Sequence, residues 1–236
     1  NLKDKKDKSL LLNIIQKADI LLSNLLPGAI DRMELSGKIL RKKNPGIITC
    51  KISGYGDSDL AEGKKAYDFL VQAESGLCSI TGSEECPSKV GISVTDISTG
   101  LTAYSAILRS LIRRGKTGKG VDISISMFDV MADWMNMPLL AHRYMSGAPK
   151  RTGLKHSFIS PYGSFKCRDG KQILLSIQNN REFRVFCEQV LKMPELYLDE
   201  NFSDNPVRFL NRDMLDEIIS CVFSQFNLEE VVDILN

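Results

Sequence analysis

Three short apolar runs, at 19–23, 47–53 and 121–126, constrain this chain more than any other feature. The first, Asp19-Ile20-Leu21-Leu22-Ser23, holds a continuous apolar run, as suits a buried strand of a parallel sheet, and Ile47-Ile48-Thr49-Cys50-Lys51-Ile52-Ser53 is read as a second strand. The third alternates apolar and polar residues, which predicts a strand with one wetter face. Helical patterns lie between them. Leu10, Leu11, Ile14 and Ile15 have helical spacing within 9–18. Pro27-Gly28 can open a helix to about residue 35. A short helix is expected over 36–43, closed by Asn44-Pro45-Gly46, and another over 67–76 with Asp68 in its first turn. Alternating helices and strands predict an α/β domain: a Rossmann-like, largely parallel sheet with flanking helices.

The segment 90–101 joins the second and third runs. Its β-leaning part ends at Thr95-Asp96, and a long apolar helix pattern follows over 97–113. Asp96 is therefore expected where extended chain hands over to helix. On local sequence it is a helix N-cap, where free N–H groups and the helix dipole favour the ionised carboxylate. Gly100 has no side chain, so another molecule can approach closely there. Gly54-Tyr55-Gly56 follows the second strand, where ligands sit in such sheets. It lacks the third glycine of a dinucleotide fingerprint. The glycine- and lysine-rich 114–120 follows a helix and precedes a strand, so it is a helix stop and turn rather than a phosphate loop.

Residues 79–91 are expected to be irregular. One long helix is expected over 127–145, with Pro138 kinking it and its methionines packed in the core. The character changes at Ser146-Gly147-Ala148-Pro149. A loop to about 160 precedes a hairpin, 162–167 and 171–177, around Asp169-Gly170. Helices follow at 181–191, at 212–225 and from 228. This predicts a large α/β domain over 1–148 and part of a smaller α+β domain over 149–236.

Composition narrows the function. With 31 Lys+Arg against 29 Asp+Glu, nothing points to nucleic acid or an anionic membrane surface. The charged run at 3–8 is read as a solvated face. No apolar run is long enough to span a bilayer. The 6 cysteines are scattered without a C-x-x-C pair, which predicts free, mostly buried thiols in a reducing compartment: the cytoplasm or, in a eukaryote, the mitochondrial matrix. Only His142 and His156 are present, so no metal site is expected. The chain starts at Asn1, and its last residues open an amphipathic helix, so it is read as an internal fragment.

Several motifs occur in the order found in family III CoA-transferases, a family that includes formyl-CoA transferase, carnitine CoA-transferase and the α-methylacyl-CoA racemases. Ala18-Asp19 through Asn24, Pro27 and Gly28 resembles its "aDvlveNfrpG", continued by Ile30-Asp31-Arg32-Met33. Asn44-Pro45 and Ile52-Ser53-Gly54-Tyr55-Gly56 resemble "nPrli" and "isGyG". Thr95-Asp96 with Gly100-Leu101 resembles the catalytic-aspartate segment. Lys116-Thr117-Gly118-Lys119-Gly120, Met127-Phe128-Asp129, Pro161-Tyr162-Gly163 and Asp169-Gly170 complete the series over essentially the whole chain.

The resemblance implies roles. Asp96 is the nucleophile, forming a mixed anhydride with an acyl-CoA thioester and releasing CoA thiolate. Asp68 stands at an acidic position near it, where it orients substrate or holds the site. Lys3, Arg32 and Lys65 fall on positions that contact CoA, and Asn24, Leu25, Ala29 and Met127 on positions lining the CoA cleft. The substrates implied are a CoA thioester, nearest to succinyl-CoA or another dicarboxylyl-CoA, and a small carboxylic acid, with no permanently bound cofactor. An interlocked homodimer is implied for the full-length protein.

The chain lacks the glycine run that formyl-CoA transferase carries in its lid loop, which points to the succinyl-CoA-dependent dicarboxylate transferases. Loops 57–63, 83–91 and 147–160 are expected to set acyl size and charge. Two other readings stand beside transfer. A racemase of the same family needs a histidine in "GHDinY", where this chain has Tyr67 before Asp68. A catalytically silent acyl-CoA-binding protein would use Asp96 as a cap alone.

Overall fold

The three apolar runs form one sheet. Strands β1 (Ile20–Ser23), β2 (Ile48–Ser53) and β3 (Asp122–Ser126) lie side by side in that order, each pair parallel. Ile20 stands opposite Ile48, and Cys50 opposite Ile123. The structure, a computed structural model, describes residues 1–26, 28–57, 64–145, 147 and 149–235. It divides into two compact units, Asn1–Thr81 with Pro87–Pro149, and Gly82–Cys86 with Lys150–Asn236.

In the first unit β2 is the middle strand, and Ile48 and Cys50, two apart and so on one face, are sealed from water. Helix α1 (Lys5–Ile15) starts earlier than the apolar spacing predicts. The Asp4 carboxylate accepts the N–H of Lys6 at 2.7 Å and of Asp7 at 3.2 Å, so the charged run is a capped first turn. Ile15 then packs with Leu35, Leu40 and Ile47. Helices α2 (Ala29–Arg32) and α3 (Gly37–Leu40) are shorter than expected; Glu34, at φ 58°, ends the first of these turns. Pro27, expected to open α2, lies outside the described residues.

Helix α4 (Asp68–Glu74) is followed at Gly76, φ 87°, by the short α5 (Leu77–Ile80), which enters the stretch expected to be irregular. Helix α6 (Val94–Thr117) packs on β2 and β3. It corrects the reading of 90–96 as extended chain: Val94 and Thr95 are already helical. Thr99 Oγ1 and Ser98 Oγ donate back to the Thr95 carbonyl at 2.7 and 3.0 Å, so the inward small polar groups are satisfied within the helix. Gly118, at φ 67°, closes it.

The expected long helix is two, α7 (Met127–Trp134) and α8 (Asn136–Tyr144), broken at Met135 rather than kinked at Pro138. Pro138 has no N–H to give the Trp134 carbonyl, so the ladder stops and proline sits in the next first turn. The methionines are not uniformly core: Met131 is buried, but Met137 and Met145 are exposed. Among the described residues no helix is long and apolar enough to cross a membrane.

In the second unit β4 (Tyr162–Lys166) and β5 (Gln172–Ser176) form the expected antiparallel hairpin, with Tyr162 opposite Ser176. Phe165, Ile173 and Leu175 point inward. Helix α9 (Asn180–Val185) runs into a π turn, Phe186–Val190. The short α10 (Glu195–Leu198), a 3₁₀ turn (Glu200–Phe202) and α11 (Asn205–Leu210) precede α12 (Arg212–Phe223) and α13 (Leu228–Leu235). Phe223 meets Phe165 and Phe186 edge to face, with ring centres 5.9 and 6.3 Å apart. Arg208 is buried across Phe183 and donates to the Ser160 and Phe202 carbonyls, both at 3.0 Å, and to Asn180 Oδ1 at 2.8 Å. Segment 82–86 joins this unit through Arg151, which donates to the Ser83 and Glu84 carbonyls. Of the free thiols, Cys50, Cys167 and Cys187 are buried, Cys78 is half-buried, and Cys86 and Cys221 are exposed, so burial is less general than expected.

Candidate active site

The carboxyl ends of all three parallel strands open on one cleft of the first unit, about 550 Å³ in volume. Past β1 come Asn24, Leu25 and Leu26; past β2, Gly54; past β3, Met127. The Ser126 hydroxyl caps α7 by accepting the Asp129 N–H at 3.2 Å, which sets Met127 at the rim. Gly54 has a steric reason to be glycine: a Cβ there would lie 2.0 Å from the Ala66 Cβ. Its bareness lets the extended stretch 64–67 close one side of the cleft with Lys64, Ala66 and Tyr67.

Asp96 enters from the first turn of α6. It is not the N-cap. Ser93 occupies that position and makes no side-chain cap. The cap comes from another helix: Asp68 Oδ1, at the start of α4, accepts the N–H of Thr95 at 2.8 Å and of Asp96 at 3.4 Å. Asp68 therefore takes the N–H groups that the sequence reading offered to Asp96. Among the described residues the Asp96 carboxylate has no hydrogen-bond partner, and it is exposed to the cleft.

The consequence for charge reverses the sequence expectation. Burial, and then the negative charge of Asp68, raise the Asp96 pKa above its ordinary value. Asp96 thus holds a proton more strongly than a free carboxylate. Gly100 lies one turn further along α6, also in the cleft wall, and a Cβ built there meets nothing within 4 Å. The space beside the carboxylate is open.

The fold brings together five of the residues expected in the site: Asp96, Asp68, Asn24, Leu25 and Met127. Lys3, Ala29, Arg32 and Lys65 do not line the cleft. Lys3 is exposed near the start of α1. Ala29 opens α2, and the Arg32 guanidinium folds back over Gly28, where a Cβ would meet Nη1 at 2.9 Å. Lys65 is exposed, while its neighbour Lys64 lines the cleft, 4.9 Å above the Tyr55 ring and 3.5 Å from Glu74. Sequence reasoning missed Lys64 and Thr99 as wall residues, while Tyr67, read as standing in place of a racemase histidine, does line the cleft. No local signal picks Lys64 over Lys65: Tyr67 lines the cleft beside Ala66, so simple alternation does not sort this stretch.

Neither histidine lines the cleft. His142 is on α8, and His156, in the second unit, uses Nδ1 to accept the N–H of Phe158 and Ile159, both at 3.1 Å. Among the described residues no cluster of His, Cys, Asp or Glu has the makings of a metal site. Residues 58–63, expected to shape the substrate end, lie outside the described residues, as do Ser146 and Ala148 in the loop before the second unit.

Comparison with known proteins agrees with the motif order. The family model for CoA-transferase family III matches residues 1–236. An acetyl-CoA:oxalate CoA-transferase of Acetobacter aceti is 32% identical over 100% of the chain and 61% of its own length. A succinyl-CoA:glutarate CoA-transferase of Mus musculus is 34% identical over 95% of the chain and 51% of its own length. Among solved structures, a CAIB/BAIF family protein from Brucella suis superposes with a TM-score of 0.80 at 29% identity, covering 99% of this chain and 61% of that one. The chain thus spans roughly half to three-fifths of these relatives.

Proposed function

The chain belongs to CoA-transferase family III, and from that premise we propose that it carries the acyl-transfer centre of an acyl-CoA:carboxylate CoA-transferase with Asp96 as nucleophile. The observation that carries this reading is the Asp96 carboxylate: in a cleft at the strand ends, without a hydrogen-bond partner among the described residues, its pKa raised, and with open space beside it at Gly100. A carboxylate suits the task because acyl exchange between carboxylates is nearly balanced in energy, so the thioester's driving force is kept.

The sequence of bonds follows. An Asp96 oxygen attacks the thioester carbonyl; the C–S bond breaks, CoA leaves as thiolate, and an aspartyl mixed anhydride forms. The thiolate attacks the aspartyl carbonyl and expels the donor acid as its carboxylate. The acceptor carboxylate attacks this aspartyl thioester, again releasing thiolate and forming a second anhydride. Thiolate attack on the acceptor carbonyl yields the new thioester and restores Asp96. No water enters, and none is wanted, since hydrolysis of either anhydride would waste the thioester.

Asn24, Leu25 and Met127 form the wall along which the pantetheine arm lies, with Lys64 as an added cation. Lys3, Arg32 and Lys65 serve the outer, nucleotide end, where cations pair with phosphate, and Ala29 extends the apolar wall toward it. The donor is succinyl-CoA or another dicarboxylyl-CoA and the acceptor a small carboxylic acid; the succinyl-CoA:glutarate relative supports this donor, whereas the Acetobacter relative is named for an acetyl-CoA donor and shares only the small-dicarboxylate acceptor. The first unit is part of a large CoA-binding domain, the second part of a smaller one, and the full-length protein is an interlocked homodimer. Tyr67 in the wall, with no histidine there, supports transfer over α-proton chemistry.

The test uses the full-length protein with succinyl-CoA and a panel of carboxylates in D₂O, read by mass spectrometry. A new acyl-CoA without deuterium at Cα, lost in Asp96→Asn while CoA binding persists, is the expected result. Deuterium gain without a new thioester means a racemase. Equal turnover in Asp96→Asn removes Asp96 as nucleophile.

A further inference from the structure

We infer that Gln72 is a positioning residue for Asp96, acting through the Asp68 carboxylate that caps α6. The inference rests on the transferase reading for its kinetic consequence, but not for its structural one.

Gln72, in α4, is fully buried, at 0% exposure. A buried amide must satisfy both its ends. Nε2 donates to Asp68 Oδ2 at 2.7 Å, and Oε1 accepts the Val90 N–H at 2.9 Å. The other Asp68 oxygen holds the Thr95 and Asp96 N–H groups. One connected chain therefore runs from the loop ahead of α6, through Gln72 and Asp68, to the backbone of the nucleophile. The amide has a single workable orientation. Reversed, Oε1 would face a carboxylate and Nε2 would face an N–H. Gln72 and Asp68 are one helical turn apart, so α4 itself fixes their spacing. Gln72 does not line the cleft, so it acts on substrate only through Asp68. What it supplies is a fixed Asp68 side chain, hence a fixed first turn of α6 and a fixed neighbour for the Asp96 carboxylate.

Two variants of the full-length protein separate positioning from packing. Gln72→Met keeps the volume but can neither donate nor accept. A misplaced nucleophile should lower kcat about 100-fold at every pH, with the KM for acyl-CoA nearly unchanged. Gln72→Glu mimics the amide while protonated: its O–H donates to Asp68 and its carbonyl accepts the Val90 N–H. Ionised, it sets two negative charges together. The new carboxyl is buried beside a carboxylate, so it ionises well above the usual range. Gln72→Glu should then work at acid pH and lose kcat along an alkaline limb absent from the wild type. A second readout needs no turnover. Hydrogen exchange at the Thr95 and Asp96 amides should quicken in Gln72→Met at every pH, and in Gln72→Glu only on the alkaline side. Slow exchange and normal kcat in Gln72→Met overturn the inference. So does a pH-independent loss in both variants in which kcat, acyl-CoA binding and thermal stability fall together, since that is packing alone. If the wild type transfers nothing, the transferase reading has failed, and amide exchange still decides the role of Gln72.

Discussion

Gly100 puts stability and activity in opposition, which makes it the sharpest test of where the cleft lies. It sits in the interior of a 24-residue helix, where glycine costs about 0.5–1 kcal/mol relative to alanine. A Cβ at this position meets no atom within 4 Å, so Gly100→Ala recovers that energy without a clash. For a protein of this size that is a rise in Tm of about 1–4 °C. Gly100→Leu is also a good helix former and should melt no lower than the wild type. Its longer side chain, however, leans toward the helix N-terminus and over the residue four positions earlier, which is Asp96. It would stand between the carboxylate and the thioester. The expected loss in kcat/KM is about 100-fold, or about 2.7 kcal/mol of transition-state stabilisation. Thermal unfolding and initial transfer rates on the full-length protein give both numbers. A Gly100→Leu enzyme with full activity would show that substrate does not approach along this face of α6. A lower Tm in Gly100→Ala would show that the space is filled in the whole protein.

Two further outcomes follow from the same contacts. Asp68→Asn removes the negative charge that helps raise the Asp96 pKa, so the acid limb of kcat/KM should move to lower pH even as the rate falls; a limb that stays in place assigns the elevation to burial alone. Arg208→Met strips donors from the Ser160 and Phe202 carbonyls and from Asn180, a cost of about 3 kcal/mol or more. A urea unfolding transition that reports the second unit should register it, and a change below about 1 kcal/mol would contradict a structural role for the buried guanidinium.

The sheet was legible because its strands are short apolar-rich segments set between helical patterns: Ile20-Leu21-Leu22 in β1, and Ile48, Cys50 and Ile52 recurring at every second position in β2. The start of α6 was not. Val94 and Thr95 are β-branched and lean locally to strand, and what makes them helical is a cap supplied by Asp68, 27 residues away from Thr95 in sequence. No local pattern encodes that partner. The two-helix form of 127–144 was half legible: Pro138 announced an interruption, but the chain breaks one turn earlier, where the missing N–H would have bonded. Within the site, Asp96, Asp68, Asn24, Leu25 and Met127 came from motif order and meet in space. The choice between Lys64 and Lys65 depends on which way an extended backbone points each side chain, and only packing of Ala66 against Gly54 fixes that.

The proposed nucleophile should be a source of instability. Asp96 has a folded-state pKa above its unfolded value, from burial and from Asp68. For such a group the native state binds the proton more tightly than the unfolded chain does. Its contribution to stability is therefore complete below the ordinary carboxylate range and is lost as pH rises through the raised folded value. At neutral pH the ionised carboxylate stands beside a second carboxylate that the fold needs as a cap, and the first-turn N–H groups of Thr95 and Asp96 are already taken by Asp68, which leaves the helix dipole alone to favour the charge. Asp96→Asn removes the charge and keeps the shape. It should melt at a higher temperature than the wild type at neutral pH, and the gain should vanish once the solution is acid enough to protonate Asp96 in both states. A variant that melts lower at neutral pH would mean that the ionised carboxylate is stabilised in the whole protein. The raised pKa would then be refuted, and a structural role for Asp96 would take its place.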